Sequence, residues 1–335
     1  MFDVVTIGTA TRDVFLTSPL FKVLKDPKHL LALGFKTGEA ECFALGGKLD
    51  VNKPIFTLGG GAANAAVTFA RQGLKAAVVI KLGDDNLGEA VMSDLKKEKV
   101  TPLVSLDKNV GTAYSTILIT PEGERTILVY RGASADFKKK EIPFSKLRAN
   151  WAYIVPGNID LSLMREIIAD LRKKGISIAM NPSKHYVEMG ATKLKDILNK
   201  IQLVIMNREE ASILTNLDYK KERAIFKKFD ELVHGIAVLT DGRNGSMVSD
   251  GRYIYRAGVF KDKKVVDRTG AGDAFGSGFV AGLIQKHDIN HALRVASANA
   301  TSVVEQIGAE EGILRRKDLE SNRFKYLDLD VEPLG

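Results

Sequence analysis

A late segment, Asp267-Arg268-Thr269-Gly270-Ala271-Gly272-Asp273-Ala274-Phe275-Gly276-Ser277-Gly278-Phe279, holds the residue types that an anion site needs. It follows the strand-like Lys264-Val265-Val266 and opens an apolar stretch of helical length running to about Ile284. Gly270 and Gly272 lack a Cβ, so a ligand can come close to their amides. A helix N-terminus adds unpaired N–H groups and partial positive charge, and together these hold an anion. Asp273 falls in the first turn, beside whatever the amides hold. A carboxylate there can take the proton of a hydroxyl that attacks a phosphoryl group. A plain capped helix would use the same residues, with the glycines serving only its turn.

Two other segments carry comparable chemistry. Leu58-Gly59-Gly60-Gly61-Ala62-Ala63-Asn64-Ala65-Ala66 sets three glycines before a small-residue helix that ends near Gly73. Small residues permit close approach of a ligand or of another backbone, and Asn64 offers both donor and acceptor to hydroxyls. Asn207-Arg208-Glu209-Glu210 follows the strand-like Leu203–Met206, and the carboxyl end of a parallel strand is where such sheets bind ligands. Asn207 and Glu210, three apart, share a helix face and can hold metal-bound water. An N-cap with acids in the first turn explains the same pair.

Three patterns carry less. Gly276-Ser277-Gly278-Phe279-Val280-Ala281 has dinucleotide spacing but lies inside a helix instead of between strand and helix. Gly83 to Gly88 has P-loop glycine spacing, yet Glu89 stands where lysine is required. His287 and His291 are four apart around a turn-like Asp288 and Asn290, with no third zinc ligand in view.

The elements that must position these residues follow from apolar periodicity. Strands are expected at Val4–Gly8, Ala76–Leu82, Ala113–Thr120, Thr126–Tyr130, Tyr153–Pro156, Ile176–Met180, Leu203–Met206 and Ile236–Thr240. Helical stripes lie between them, at Leu87, Val91 and Leu95, at Leu161 to Leu171, and at Ile225, Phe229 and Leu232. Alternating strand and helix predicts an α/β fold with a parallel sheet and right-handed crossovers. Two stretches break the alternation. Asp13 to Phe56 shows no long helix, and Gly111 to Arg131 reads as two strands around the turn Thr120-Pro121-Glu122-Gly123-Glu124. They predict a small β flap on the main sheet. The polar tail after Arg316 carries no signal.

Composition narrows the classes. The chain has 335 residues, 45% hydrophobic and 27% charged, with 49 Lys and Arg against 41 Asp and Glu for a net charge of +8. This is ordinary globular composition. The basic residues are spread out and usually stand near acids, with no aromatic-rich basic motif, so nucleic acid is not an expected partner. A basic surface suits an anionic small ligand. Cys42 alone excludes an internal disulfide and a thiolate zinc cluster, and it fits a reducing compartment. No apolar stretch is long enough for a membrane helix, and the N-terminus has an acid where a signal peptide wants a base. A cytoplasmic protein without a membrane partner is expected.

Taken together, the Gly59–Asn64 segment, Asn207 with Glu210, and the Asp267–Phe279 segment resemble, in order and spacing, the PfkB family of ribokinase-like carbohydrate kinases. The resemblance spans nearly the whole chain. It implies a doubly wound, mainly parallel sheet with helices on both faces. Residues 1–335 would form one kinase domain, with a small β-sheet lid from insertions at about 13–57 and 108–132. It implies ATP as co-substrate, Mg²⁺ as cofactor and a sugar or nucleoside as acceptor. On this chain Asp273 matches the catalytic base, and Gly270, Ala271 and Gly272 match the anion hole. Asp13, Gly59, Gly60 and Asn64 match the grip on substrate hydroxyls. Asn207 and Glu210 match the motif that sets phosphate and Mg²⁺, the ion being reached through water. Thr240, Gly242 and Gly245 match the loop along the nucleotide phosphates, and Asn299 the adenine side. Asp267 and Thr269 fall where many members bind a monovalent cation such as K⁺.

The chain also departs from its relatives. Gly61 replaces the lysine of ribokinase proper, and Arg268 stands where threonine is usual. Asp273-Ala274-Phe275 is closer to the branch that acts on free sugars and nucleosides. Arg125 or Arg131 on the lid can reach an anionic group of the substrate, or can simply edge a solvated lid. The expected activity is phosphorylation of a terminal hydroxyl of a free sugar. A nucleoside kinase, or a non-catalytic sugar or nucleotide sensor, is the alternative. Open strand edges on the lid also predict a homodimer.

Overall fold

The continuous apolar runs are shielded on both sides, as a parallel sheet requires. Val4, Val5, Ile7 and every residue of Ala76–Gly83 are buried. In the computed structural model, which describes residues 1–35 and 38–334, they belong to interior strands of a ten-stranded sheet. Residues 36 and 37 of the first expected insertion, and residue 335, lie outside the described residues.

From one edge, the strands run Thr101–Asp107, Ala76–Gly83, Phe2–Gly8, Ala149–Val155, Ser177–Met180, Leu203–Asn207 and Ile236–Thr240, all parallel. Ser246–Ser249, Tyr253–Ala257 and Leu329–Pro333 continue the sheet antiparallel. The last strand corrects the reading of the C-terminal tail as featureless. Its residues are exposed or half-buried on an edge, so they carry no apolar alternation.

Alternation within the central strand assigns its side chains to opposite faces. Val5 and Ile7 join a core with the helices Leu161–Lys173, Ala191–Leu198, Arg208–Thr215 and Glu222–Asp230. Val4 joins a core with Gly61–Arg71, Ala271–Lys286 and Ile289–Val303. The last two helices pack closely because glycine allows it. A Cβ on Gly278 would lie 3.0 Å from Ala296 Cα, and one on Gly282 only 2.7 Å from Ala292 Cα. That packing, not a dinucleotide, explains the glycine spacing inside Ala271–Lys286.

Chain order reverses on either side of Phe2–Gly8. The chain goes to Ala76–Gly83 on one flank and to Ala149–Val155 on the other. Such a switch point opens a crevice at the carboxyl ends of the strands. Over it lies a second sheet of Ile55–Gly59, Thr11–Thr17, Tyr114–Ile119 and Arg125–Tyr130, and beside that a ribbon of Lys22–Lys25 and Glu39–Cys42. Among the described residues, no helix is long and apolar enough to cross a membrane.

Candidate active site

The helix Ala271–Lys286 begins at Gly270, whose φ of +77° is left-handed. An added Cβ there would sit 2.3 Å from Ala309 Cβ, so backbone conformation and space both demand glycine. A Cβ on Gly272 would meet nothing within 4 Å, and this residue is exposed. Asp273 follows in the first turn. Its Oδ2 accepts a hydrogen bond from Asn64 Nδ2 at 2.9 Å. Burial raises the Asp273 pKa above the carboxylate norm, the Asn64 bond opposes this, and the nearby Asp13 charge adds to it.

Asn64 is buried in the first turn of Gly61–Arg71, and its Oδ1 has no partner, an acceptor left for a ligand. Asp13 comes from the second sheet, paired in register with Thr57 on one side and Ser115 on the other. It is buried, takes a 2.8 Å bond from Thr11 Oγ1, and has a pKa raised chiefly by burial. Gly59 is packed against it: a Cβ there would lie 2.1 Å from Asp13 Oδ2. Gly60, at φ +91°, turns the chain into the helix. The Gly61 departure also has a physical reason, since a Cβ would meet Val155 Cγ1 at 2.5 Å and Asp273 Oδ1 at 3.2 Å. A lysine stem at Gly61 has no room here.

On the other side of the helix terminus, Ala271 and Gly272 border a cleft of ≈290 Å³. Thr240, Gly242 and Gly245 line its polar end, and Val259, Phe260, Val265 and Val304 give it apolar walls. Arg268 faces this cleft as well. Asn207 and Thr240 are register partners at the carboxyl ends of adjacent strands. Asn207 caps the helix Arg208–Thr215: its Oδ1 takes the Glu210 N–H at 2.8 Å while Glu210 Oε2 takes the Asn207 N–H at 2.9 Å. The capping alternative is therefore realised. It leaves Glu210 Oε1 without a hydrogen bond among the described residues, and burial raises the Glu210 pKa with Glu209 and Asp273 adding to it. An oxygen donor of this kind suits Mg²⁺, which keeps several waters and needs only one or two carboxylates beside phosphate. No cluster of three or more metal-ligating side chains occurs among the described residues.

Two expectations are corrected. Asn299 is fully buried. Its Nδ2 donates to Ala274 O at 2.9 Å and its Oδ1 accepts from Leu314 N at 2.9 Å, so it braces two elements and does not face the cleft. Its neighbours Ser297, Ala300 and Thr301 do. Asp267 and Thr269 do not form a vacant cation cradle. Asp267 Oδ1 accepts from Arg125 Nη1 at 2.7 Å, Thr269 N at 2.9 Å and Thr269 Oγ1 at 2.7 Å, and Oδ2 from Gly308 N at 3.1 Å. Arg131 is exposed at the end of the second sheet. Thr11 belongs to no motif, yet it stands two residues from Asp13, which on a strand means the same face.

The profile of pfkB family carbohydrate kinases matches residues 29–315. Ribokinase of Bacillus subtilis (strain 168) is 29% identical over 331 residues, spanning 96% of this chain and 99% of that protein. The structure of adenosine kinase from Sinorhizobium meliloti has a TM-score of 0.77 at 22% identity, covering 95% of this chain and 98% of that one. Arabidopsis thaliana ribokinase complexed with ribose and ATP gives 0.76 at 19% identity, covering 97% and 99%. Both likenesses speak for the fold. The profile match spans most of the sequence, and the chain therefore belongs to the pfkB family of carbohydrate kinases, phosphotransferases that act on a hydroxyl of a sugar or nucleoside.

Proposed function

We propose that this protein transfers the γ-phosphoryl group of ATP to a terminal hydroxyl of a free sugar, with Asp273 as general base. One observation carries the reading: Asn64 and Asp273 meet at the bare helix terminus, so a hydroxyl held by Asn64 lies beside a carboxylate and beside the amides of Gly270 to Gly272. Asp273 takes the hydroxyl proton as the oxygen attacks phosphorus. The bond from phosphorus to the ADP oxygen breaks, and ADP leaves with that electron pair. The Gly270, Ala271 and Gly272 amides stabilise charge on the transferring group.

Asp13, with Gly59, Gly60 and Asn64, grips the other sugar hydroxyls. Thr240, Gly242, Gly245 and Asn207 run along the phosphates, and the apolar walls of the cleft take the adenine. Glu210 would hold Mg²⁺ through water, and the ion would neutralise phosphate charge. The second sheet serves as a lid that excludes competing water. Arg131, at its rim, is available to an anionic substituent on the sugar. Residues 1–335 act as one unit, in the cytoplasm, as a homodimer joined through the lid.

A nucleoside acceptor is the second reading, since a cytidine kinase stands among the chain's curated relatives. A panel of ribose, fructose, 2-keto-3-deoxygluconate, adenosine and inosine with ATP tests both. The highest kcat/KM on a free sugar supports the proposal. A nucleoside far ahead of every sugar replaces it with the second reading, and binding without turnover would mean a sensor.

A further inference from the structure

Asp267 is a buried carboxylate whose side chain is 2% exposed, and both its oxygens are engaged. A buried carboxylate needs a compensating charge. Among the described residues, the cation that meets it is Arg125, 142 positions earlier in the chain. Arg125 opens the outer strand of the small sheet, directly after the turn Thr120–Glu124, in register with Ile119. The same Asp267 oxygen takes the N–H and hydroxyl of Thr269, the residue before Gly270. The other takes the N–H of Gly308. Gly308 itself lies against the small sheet, where an added Cβ would be 3.1 Å from Thr57 Cγ2 and 3.4 Å from Phe15. One carboxylate thus ties together a hairpin, the loop that leads into the helix terminus, and a third loop.

We propose that Arg125 is a positioning residue. It occupies the place where a monovalent cation would otherwise neutralise Asp267, and so couples the closed small sheet to the set of the Gly270–Gly272 amides. The kinase then carries its own cation and does not depend on K⁺. An isolated surface ion pair would be worth little. This pair differs because one partner is sealed and also holds two backbone N–H groups of site loops.

The proposal rests on the phosphotransfer reading only for its kinetic consequence, so the test has two readouts. Hydrogen exchange on the full chain, wild type against Arg125→Ala and Arg125→Lys, reports Tyr114–Tyr130 and Thr269–Phe275 without any substrate. Turnover is followed in potassium, sodium and tetramethylammonium chloride. Exchange several-fold faster in both segments of Arg125→Ala, with partial return in Arg125→Lys, is expected. Wild-type turnover should be the same in all three salts. Arg125→Ala should lose about tenfold or more in kcat with KM less affected. Unchanged exchange at Thr269–Phe275, or a wild-type enzyme activated by potassium, overturns the proposal. If no acceptor is turned over, the phosphotransfer reading falls and the exchange comparison alone decides the clasp.

Discussion

Asn64 Nδ2 and Asp273 Oδ2 stand 2.9 Å apart across 209 positions of sequence. Asn64 stands in the first turn of Gly61–Arg71, and Asp273 in the first turn of Ala271–Lys286. Each helix start brings unsatisfied N–H groups and positive potential to the same crevice. The bond therefore joins the starts of two helices that meet at one crevice.

Asp273→Asn keeps the Asn64 contact geometry but cannot accept a proton. Turnover should fall by roughly 10²–10⁴-fold while nucleotide binding, measured by calorimetry, is retained. Near-normal turnover would remove Asp273 from the role of base.

The direction of the Asp273 shift gives a pH test. Burial raises its pKa and the Asn64 bond lowers it. A base works only when deprotonated, so the acid limb of the kcat profile should lie above the ordinary carboxylate range. Asn64→Leu removes the opposing influence and should move that limb to still higher pH. Asp13→Asn removes a like charge and should move it lower. Shifts of opposite sign to these would detach the limb from Asp273.

Much of this was legible because it depends on local physics. Central strands are apolar on both faces, so Ala76–Gly83 and Leu203–Asn207 stand out in the sequence. Thr11–Thr17 does not, because its buried position 13 is an aspartate and breaks the apolar pattern. Leu329–Pro333 is an edge strand without a shielded face, and Tyr253–Ala257 beside it is exposed or half-buried apart from Ala257. Asn299 illustrates a different limit. Nine residues of Ile289–Val303 are buried, and composition cannot say which polar side chain braces the core and which borders the cleft. Arg125 and Arg131 look alike in sequence, and the fold alone brings Arg125 to Asp267.

The outer strand of the small sheet, Arg125–Tyr130, pairs on one side only, and all its residues are exposed, Leu128 and Val129 to 56% each. Open apolar edges recruit another strand. Sedimentation across micromolar concentrations should give a dimer, and Val129→Lys should shift it to monomer. A wild-type chain that stays monomeric would refute the lid-edge dimer.

Glu310 lies behind the site and makes stability depend on pH. Its Oε1 is buried without a partner, and Arg71 spends an N–H on the Glu310 carbonyl at 2.7 Å and on the Ile313 carbonyl at 3.0 Å. Burial pushes the Glu310 carboxyl from 4.5 up to about 7, Arg71 opposes this, and Glu98 and Asp94 add to it. The raised folded value means that the folded state binds a proton more tightly than the unfolded chain does. Its contribution to stability is therefore full below the unfolded pKa and is lost as pH rises through about 7. Glu310→Gln keeps the neutral shape at every pH. The thermal midpoint of the wild type should fall between mildly acidic and neutral pH relative to that of the variant, by the equivalent of on the order of 1–3 kcal/mol. Parallel midpoint curves for the two proteins would show that Glu310 ionises in the folded protein as it does in the unfolded chain.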